Sequence, residues 1–331
     1  MNDIHPLLAM AKQAGNSRLP GVFSVCSANP FVLETAIRRA AHSKALVLIE
    51  ATSNQVNQYG GYTGQTPGQF RDYVLGIAHG LGVSPKKIVL GGDHLGPNPW
   101  KHESPDSAMD KAKALVFQYA KEGFSKIHLD ASMPLGHEPK DKPLPPDVIA
   151  SRCGQLAAAA EQGFKESAGG VEPVYVIGTE VPAPGGSSHG MTGLEITDPR
   201  DVVQTAAVHR EAFARLDLQG AFERILAVVV QPGVEFSDQE IHRYDRQQAA
   251  ALCRTLTSLP GWCFEGHSTD YQHPGTLRQM VEDGIAILKV GPALTFALRE
   301  ALFALHCIEK ELFSRQSNDS HSGLTETLLA A

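Results

Sequence analysis

Residues 225–233 read ILAVVVQPG, and residues 87–94 read KIVLGGDH. Each run is almost continuously apolar and then ends in polar residues, Gln231 in the first and Asp93-His94 in the second. Strands that are apolar on both faces are typical of a parallel sheet covered by helices. The two stretches therefore predict buried parallel strands that carry polar side chains at their carboxyl ends.

Six further runs of this kind, separated by longer amphipathic stretches, extend the pattern to eight strand–helix units. The predicted strands are Val22–Ala28, Ala45–Thr52, Lys87–His94, Lys126–Ser132, Val174–Glu180, Ile225–Gly233, Trp262–Asp270 and Ile285–Gly291. A helix cap followed by proline opens several intervening stretches, as at Thr66-Pro67, Ser104-Pro105 and Asp198-Pro199.

Eight such units predict an α/β fold of the (β/α)8 TIM-barrel type. A doubly wound sheet that binds a dinucleotide would need a glycine-rich turn after its first strand, and VCSANP stands there instead. We expect a single barrel domain over residues 1–313, followed by a polar, mobile tail over residues 314–331.

The composition limits the classes of function. The chain has 331 residues, of which 42% are hydrophobic, which is enough for a large core. Lys and Arg total 29 against 36 Asp and Glu, without a basic stripe, so we expect no nucleic-acid partner. No apolar run reaches the roughly 18 residues of a membrane span. The five cysteines are scattered without CxxC spacing. These features predict a cytoplasmic protein with reduced thiols and no membrane partner.

Polar side chains gather at the predicted strand ends, which is where the functional face of a barrel lies. Because alternate residues of a strand point to the same side, His128 shares a side with Asp130, and Glu265 shares one with His267. Buried charges are costly unless they are paired or bound to a metal. The residues therefore either pair with one another or hold a divalent metal.

In the metal hypothesis, the ligands are His94, His267 and one or two carboxylates, with Glu180 and Glu265 as first choices. Mixed histidine and carboxylate sets suit zinc, manganese or cobalt, and they leave positions for water or a sugar hydroxyl. Such an ion would polarise a ketose carbonyl or stabilise an enolate while a carboxylate moves the proton.

The candidate residues fall into three predicted roles. The predicted catalytic residues are Asp93, Asp130 and Glu180, the predicted metal ligands are His94, His267 and Glu265, and the predicted substrate-binding residues are Glu50, Ser53, Asn54, Gln55, His128, Ser132, Gln231, Asp270 and Lys289. A Schiff base on Lys289 is the alternative to metal chemistry, although a lone lysine at this place is more often an ion-pair partner. Cys26 has no evident histidine base in the sequence and is interpreted as a small core or pocket residue.

Eight stretches at the strand ends together resemble one known family. They are SVCSANP, LIEATSNQVNQYGGYTG, VLGGDHLGPNPW, GFSKIHLDASM, YVIGTEVPAPGG, VVVQPGVEF, EGHSTDYQ and AILKVGPALTFALREALFAL, in this order over roughly residues 20 to 312. The sequence resembles the tagatose-bisphosphate aldolase accessory subunit family, the Z subunit of the galactitol and N-acetylgalactosamine pathways. No Walker-type loop occurs, so the sequence does not support a kinase.

The resemblance implies a barrel related to class II aldolases and a catalytic aldolase subunit as partner. The Z subunit supports the activity and stability of that partner without aldolase activity alone. Asp93-His94 resembles the class II pair in which Asp handles protons and His binds zinc, and His267 resembles the ligand after strand seven. The ligand His expected after strand six is missing, and Gln231-Pro232 stands there instead. Glu180 and Glu265 would complete a different metal set.

Two hypotheses follow. The first is a non-catalytic accessory subunit of D-tagatose-1,6-bisphosphate aldolase, required by a catalytic class II subunit in the catabolism of galactitol, N-acetylgalactosamine and tagatose 6-phosphate. The missing strand-six His favours it. The second is a metal-dependent ketose or ketose-phosphate 4-epimerase or aldolase that is active on its own, with a sugar phosphate as ligand. The density of acids, histidines and amides at the strand ends favours this one.

Overall fold

The computed structural model describes residues 4–13, 20–42, 46–139, 142–167, 169–178, 194–313 and 322–330. Over these residues, eight parallel strands close into a barrel. The barrel strands are β1 (Val22–Cys26), β2 (Val47–Thr52), β3 (Ile88–Leu95), β4 (Lys126–Leu129), β5 (Val174–Gly178), β6 (Ile225–Val230), β9 (Cys263–Gly266) and β10 (Ile285–Val290). A separate antiparallel pair, β7 (Glu235–Phe236) and β8 (Ile241–His242), lies between β6 and β9 in the sequence. In the barrel, β6 pairs with β9 and β10 pairs with β1. The predicted (β/α)8 barrel is confirmed.

Helices surround the barrel, and most of the long ones follow one of its strands. They are α1 (Pro6–Gln13), α2 (Pro30–Ala41), α3 (Pro67–Gly80), α4 (Pro105–Lys121), α5 (Pro146–Lys165), α6 (Pro199–Ala214), α7 (Gln219–Glu223), α8 (Ala250–Arg254), α9 (Pro274–Glu282), α10 (Pro292–Leu312) and α11 (Leu324–Ala330). Most long helices open on proline, because its ring presets φ and the first turn does not need its N–H. The predicted helix starts after Thr66, Ser104 and Asp198 are confirmed.

The amino-terminal end of the barrel is apolar and is closed by α1. Leu7 of α1 is 2% exposed and packs with aliphatic residues from the lower part of the barrel. These include Val22, Leu48, Val89, Val174, Val176, Ala227, Val229 and Ile287. His5 fixes the entry to α1, because its Nδ1 accepts the N–H of Leu7 at 3.1 Å. This apolar floor leaves the upper part of the barrel to the polar side chains.

Several strands end earlier than predicted. The sequence predicts the fourth, sixth and seventh strands of the barrel to continue to Ser132, Gly233 and Asp270, whereas they end at Leu129, Val230 and Gly266. The polar residues beyond these points leave the ladder because their side chains bind loop backbone and one another. The fifth strand is described to Gly178, and the last two residues predicted for it, 179 and 180, lie outside the described residues.

The carboxyl-terminal part of the described chain is helical. The short helix α11 contacts α10 and lies within the segment predicted as a tail, of which residues 314–321 are outside the described ranges. None of the helices in the described part of the chain is both long and apolar enough to cross a lipid bilayer.

Candidate metal centre at the barrel mouth

The strand register brings the polar residues of the barrel into one row. Glu50 lies opposite Cys26 on β1 and opposite Gly91 on β3, and Gly91 in turn lies opposite Lys126 on β4. A Cβ added at Gly91 would lie 2.5 Å from Oε1 of Glu50, closer than real side-chain contacts allow. Gly91 therefore leaves the space in which Glu50 and Lys126 meet across β3.

Two lysines and three carboxylates form a buried ion-pair network. Nζ of Lys126 lies 2.7 Å from Oε1 of Glu50 and 2.6 Å from Oε2 of Glu265, and all three side chains are fully buried. Nζ of Lys289 contacts the carboxylate of Asp93 and lies 3.2 Å from Oε2 of Glu50. Pairing of this kind offsets the cost of removing the charges from water.

The network keeps both lysines charged. Burial by itself would lower the pKa of Lys126, but Glu265 and Glu50 outweigh it and raise that pKa. Asp93 and Glu50 likewise hold the pKa of Lys289 well above its ordinary value despite burial. Nζ of Lys289 thus lies in ion pairs with Asp93 and Glu50, which favour the ammonium over the neutral amine that a Schiff base requires.

Three imidazoles gather at the mouth beside this network. The ring centroids of His94 and His128 are 4.8 Å apart, those of His94 and His267 are 4.9 Å apart, and those of His128 and His267 are 5.5 Å apart. Together with Asp93, each residue offers one ligand atom, and the four atoms lie within 4.8 Å of one another. The sequence placed His94 and His267 in a metal set, and the structure adds His128, which was predicted to bind substrate.

His94 is held by Asp130 in an uncommon backbone conformation. Its φ of 45° is left-handed, and such non-glycine residues cluster at functional sites. Nδ1 of His94 lies 2.7 Å from Oδ2 of Asp130, whose Oδ1 accepts from the hydroxyl of Ser132 at 2.7 Å. A carboxylate on the far nitrogen is the arrangement that orients metal-binding histidines. The predicted catalytic residue Asp130 thus lies behind His94.

Charge reinforces this arrangement. Burial would lower the pKa of His94, but Asp93 and Asp130 outweigh it and raise that pKa. Burial would also raise the pKa of Asp130, but the hydrogen bond and the charge of His94 hold it well below the ordinary range. The two aspartates and His94 are therefore mutually stabilised.

His267 presents an unsatisfied nitrogen to the site. Its Nε2 lies 3.1 Å from Oε1 of Glu265, which assigns the proton to Nε2 as the donor. Burial and the charge of Lys289 lower the pKa of His267 to about 3, so the ring is neutral. Its Nδ1 is buried and has no hydrogen-bond partner among the described residues. Because an unpaired buried acceptor is costly, this lone pair suits a metal ion. Glu265, a predicted ligand, faces Lys126 and His267 with its two oxygens.

Four predicted substrate-binding side chains contact loop backbone near the mouth. These contacts connect Ser53 with His94, Gln55 with Thr52, Gln231 with Gly233 and Val234, and Asp270 with Gly291 and Ala293. They shape the loops that follow the strands and the start of α10. Asn54 is exposed, and the predicted catalytic residue Glu180 lies outside the described residues.

Sequence reasoning missed Lys126 and Ser24. Lys126 stands two residues before His128, so the same alternation that joins His128 to Asp130 extends back to it. A lysine inside an apolar strand was the signal, because lysine is almost never fully buried unless it is paired. The hydroxyl of Ser24 donates to Oε2 of Glu50 at 2.5 Å, and no pattern in the sequence marked this contact.

A closed barrel of eight parallel strands, with imidazoles and carboxylates at its carboxyl-terminal mouth, defines a (β/α)8 protein with a polar site at the functional end of the barrel. The solved fructose-bisphosphate aldolase of Campylobacter jejuni shares the fold, with a TM-score of 0.59 at 13% identity, covering 94% of this chain and 80% of the aldolase. The chain belongs to the D-tagatose-1,6-bisphosphate aldolase subunit GatZ/KbaZ-like family, whose model matches residues 7–331. The resemblance seen in the sequence is thereby confirmed.

Two proteins with much higher sequence identity to this chain carry functional names that differ from each other. A D-tagatose 6-phosphate 4-epimerase of Agrobacterium fabrum (strain C58) is 50% identical over 305 residues, which cover 92% of this chain and 71% of the relative. The crystal structure of a probable tagatose 6 phosphate kinase from Sinorhizobium meliloti 1021 is 51% identical, with a TM-score of 0.81, and the match covers 90% of this chain and 71% of that one.

Proposed function

We propose that the chain is a metal-dependent enzyme that acts on its own and epimerises carbon 4 of a ketose or ketose phosphate. The observation that carries this proposal is the grouping of His94, His128, His267 and Asp93 within 4.8 Å. His128 supplies a third imidazole from β4, which offsets the missing histidine after the sixth strand. The name of the relative from Agrobacterium fabrum supports the substrate class. Zinc, manganese or cobalt is the proposed ion.

Inversion at carbon 4 can proceed by breaking and re-forming the bond between carbons 3 and 4. A base takes the proton of the carbon 4 hydroxyl, the electrons of the bond move towards the carbonyl at carbon 2, and carbon 4 becomes an aldehyde. When the aldehyde presents its other face to carbon 3, the reverse steps rebuild the bond with carbon 4 inverted. No atom changes its oxidation state overall, so no oxidant is needed. A divalent ion at the imidazoles would polarise the carbonyl and stabilise the negative charge.

Different residues of the mouth are proposed for proton transfer, for charge stabilisation and for the shape of the pocket. The carboxylate of Asp93 lies at the imidazole cluster, where it is proposed to hold or return the substrate proton. The charged Lys289 beside it stabilises negative charge on a substrate oxygen. Glu180 stays a prediction for the second proton-transfer group. Four of the predicted substrate-binding residues are proposed to shape the pocket through the loops that they fix, namely Ser53, Gln55, Gln231 and Asp270. Glu50, Asn54 and Ser132 stay predictions for substrate binding.

The test uses the purified chain without any other protein. After metal analysis, the chain is assayed for interconversion of tagatose 6-phosphate and fructose 6-phosphate. We expect turnover that is lost in His94→Ala and His267→Ala, and that is lost on chelation and regained with zinc, manganese or cobalt. His79→Ala, at an exposed position on α3, is the matched control and should remain active. Wild-type protein that shows no turnover with any of the three ions supplied, or turnover that chelation leaves unchanged, would overturn the proposal.

A second candidate is the accessory role. The family is described as an aldolase subunit, and Gln231 occupies the place where the class II pattern expects a histidine. In this role the chain would bind and stabilise a catalytic class II tagatose-bisphosphate aldolase subunit, in the cytoplasm and in galactitol or tagatose 6-phosphate catabolism. The chain is added to such a purified subunit. A rise in aldolase activity that His94→Ala retains supports this role, and the absence of any rise removes it.

A further inference from the structure

A second group of potential ligands lies on the other side of Asp93. Sγ of Cys26 lies 3.6 Å from Oδ2 of Asp93 and 3.9 Å from Oε2 of Glu50. One ligand atom from each of these three residues lies within 4.8 Å of the other two. A thiolate and two carboxylates are donors that cobalt or zinc accepts. The donor set therefore suits a second metal ion next to the proposed centre.

An ammonium already lies among these donors. Nζ of Lys289 contacts the carboxylate of Asp93 and lies 3.2 Å from the same Glu50 oxygen that faces Cys26. The register explains this placement. Lys289 on β10 lies opposite Ser24 on β1, and Ser24 is two residues before Cys26, so their side chains enter the barrel on one side.

The positive charge of the Lys289 ammonium balances part of the negative charge of the Asp93 and Glu50 carboxylates. Lys289 is 7% exposed, and its Nζ is within ion-pair distance of the carboxylates of both Asp93 and Glu50. The Cys26 thiol donates towards the oxygens of Asp93 and Glu50, so the sulfur carries its proton and adds no negative charge beside the lysine. Two carboxylates, one ammonium and one neutral thiol thus lie together. A metal ion could bind the carboxylates and the sulfur only if the ammonium were removed.

We propose that the Lys289 ammonium is a built-in cation in a second metal position formed by Cys26, Glu50 and Asp93. The protein then takes a single divalent ion, at the imidazoles. The second position shares Asp93 with the metal centre of the proposed function, but it does not require that centre to be filled. When the ammonium is removed, a divalent ion binds in its place, gains the Cys26 thiolate as ligand and releases the thiol proton to solvent.

The test is a cobalt titration of Lys289→Ala. Cobalt bound to a thiolate gives a near-ultraviolet charge-transfer band, whereas imidazole and carboxylate ligands do not. We expect the variant to bind one more equivalent of cobalt per chain than the wild type and to show this band. The wild type should show no band in excess cobalt, and Lys289→Ala combined with Cys26→Ser should lose it. A variant that binds no additional cobalt, or binds it without the band, overturns the proposal.

Two controls isolate the charge of Lys289. Lys289→Arg keeps a cation in place and should show neither the additional equivalent nor the band. Lys126→Ala removes the other buried ammonium but leaves Lys289, and it should also show no band. If Lys289→Ala does not fold without metal, it is refolded with cobalt, and we expect the fold and the band to return together. A chain that stays unfolded in cobalt, or folds without the band, overturns the proposal.

The same titration separates this proposal from the proposed function. A wild type that binds no cobalt refutes the imidazole centre, while a thiolate band in Lys289→Ala would still support the second position. Equal binding of one equivalent by both proteins, without a band, refutes only the second position.

Discussion

Replacing Lys126 with methionine tests whether the buried ion network stabilises the barrel. Methionine keeps most of the side-chain volume but leaves Glu50 and Glu265 buried without the ammonium that lies 2.7 and 2.6 Å from them. Removing one partner of a buried ion pair costs about 3–5 kcal/mol. Lys289 remains 3.2 Å from Glu50 and 3.9 Å from Glu265 and offsets part of the loss. We expect the free energy of unfolding to fall by about 4 kcal/mol.

Urea unfolding followed by circular dichroism measures this change, with chelator present so that no metal contributes. The slope is about 1–3 kcal/mol per molar urea for small proteins and rises with chain length, so the midpoint should fall by roughly 1 M in this chain. Lys126→Met combined with Glu265→Gln should recover part of the loss, because one uncompensated charge is removed. Lys113→Met, which removes a 39% exposed lysine of α4, is the matched control and should change stability by less than about 0.5 kcal/mol.

The reasoning fails if Lys126→Met changes stability no more than the Lys113→Met control does. Such a result would mean that Glu50 and Glu265 take up protons when the ammonium is lost, and that the network contributes little net stability. Failure of the double variant to recover any stability would instead assign the loss to packing.

Three further predictions address other parts of the fold and site. Gly91→Ala places a Cβ 2.5 Å from a carboxylate oxygen and should lower the free energy of unfolding by about 1–3 kcal/mol in the same urea assay, whereas Gly76→Ala, in open space on α3, should raise it by roughly 0.5–1 kcal/mol. His209 is buried and neutral, with its pKa lowered by burial to about 4, so the unfolded state binds more protons and stability should fall as the pH drops from about 6.5 to about 4. Urea midpoints across this range should fall less in His209→Asn. Asp130→Asn removes the carboxylate behind His94 and should weaken metal binding by about 10–100-fold in a competition titration with a chelating dye, and unchanged affinity would contradict the positioning role.

The barrel could be predicted because its strands must be apolar on both faces. Ile225 and Ile285 begin strands where the sequence pattern places them. The strand ends could not be predicted in the same way. Residues such as Asp130 and Gln231 bind loop backbone or side chains from other strands, and these partners become neighbours only after folding.

The composition of the site could be predicted, but not its pairing. Alternation along the predicted strand Lys126–Ser132 indicates that His128 and Asp130 share a side. It does not show that His128 lies against Asp93 while Asp130 lies against His94. Pairing depends on the register between strands, which a single sequence does not contain. Lys126 was overlooked because its partners, Glu50 and Glu265, come from two other strands.

The charge balance of the mouth explains why a divalent cation suits it. Four carboxylates and two ammonium groups face one another among the described residues of the mouth, namely Glu50, Asp93, Asp130 and Glu265 against Lys126 and Lys289. Imidazoles that bind a metal ion are neutral, and with the three histidines in that state, four negative charges minus two positive charges leave an excess of two. A buried excess of this size is costly, and one divalent ion at the imidazoles cancels it. Chelation should therefore destabilise the wild type, and it should destabilise it less in Asp130→Asn, in which the excess is one charge smaller.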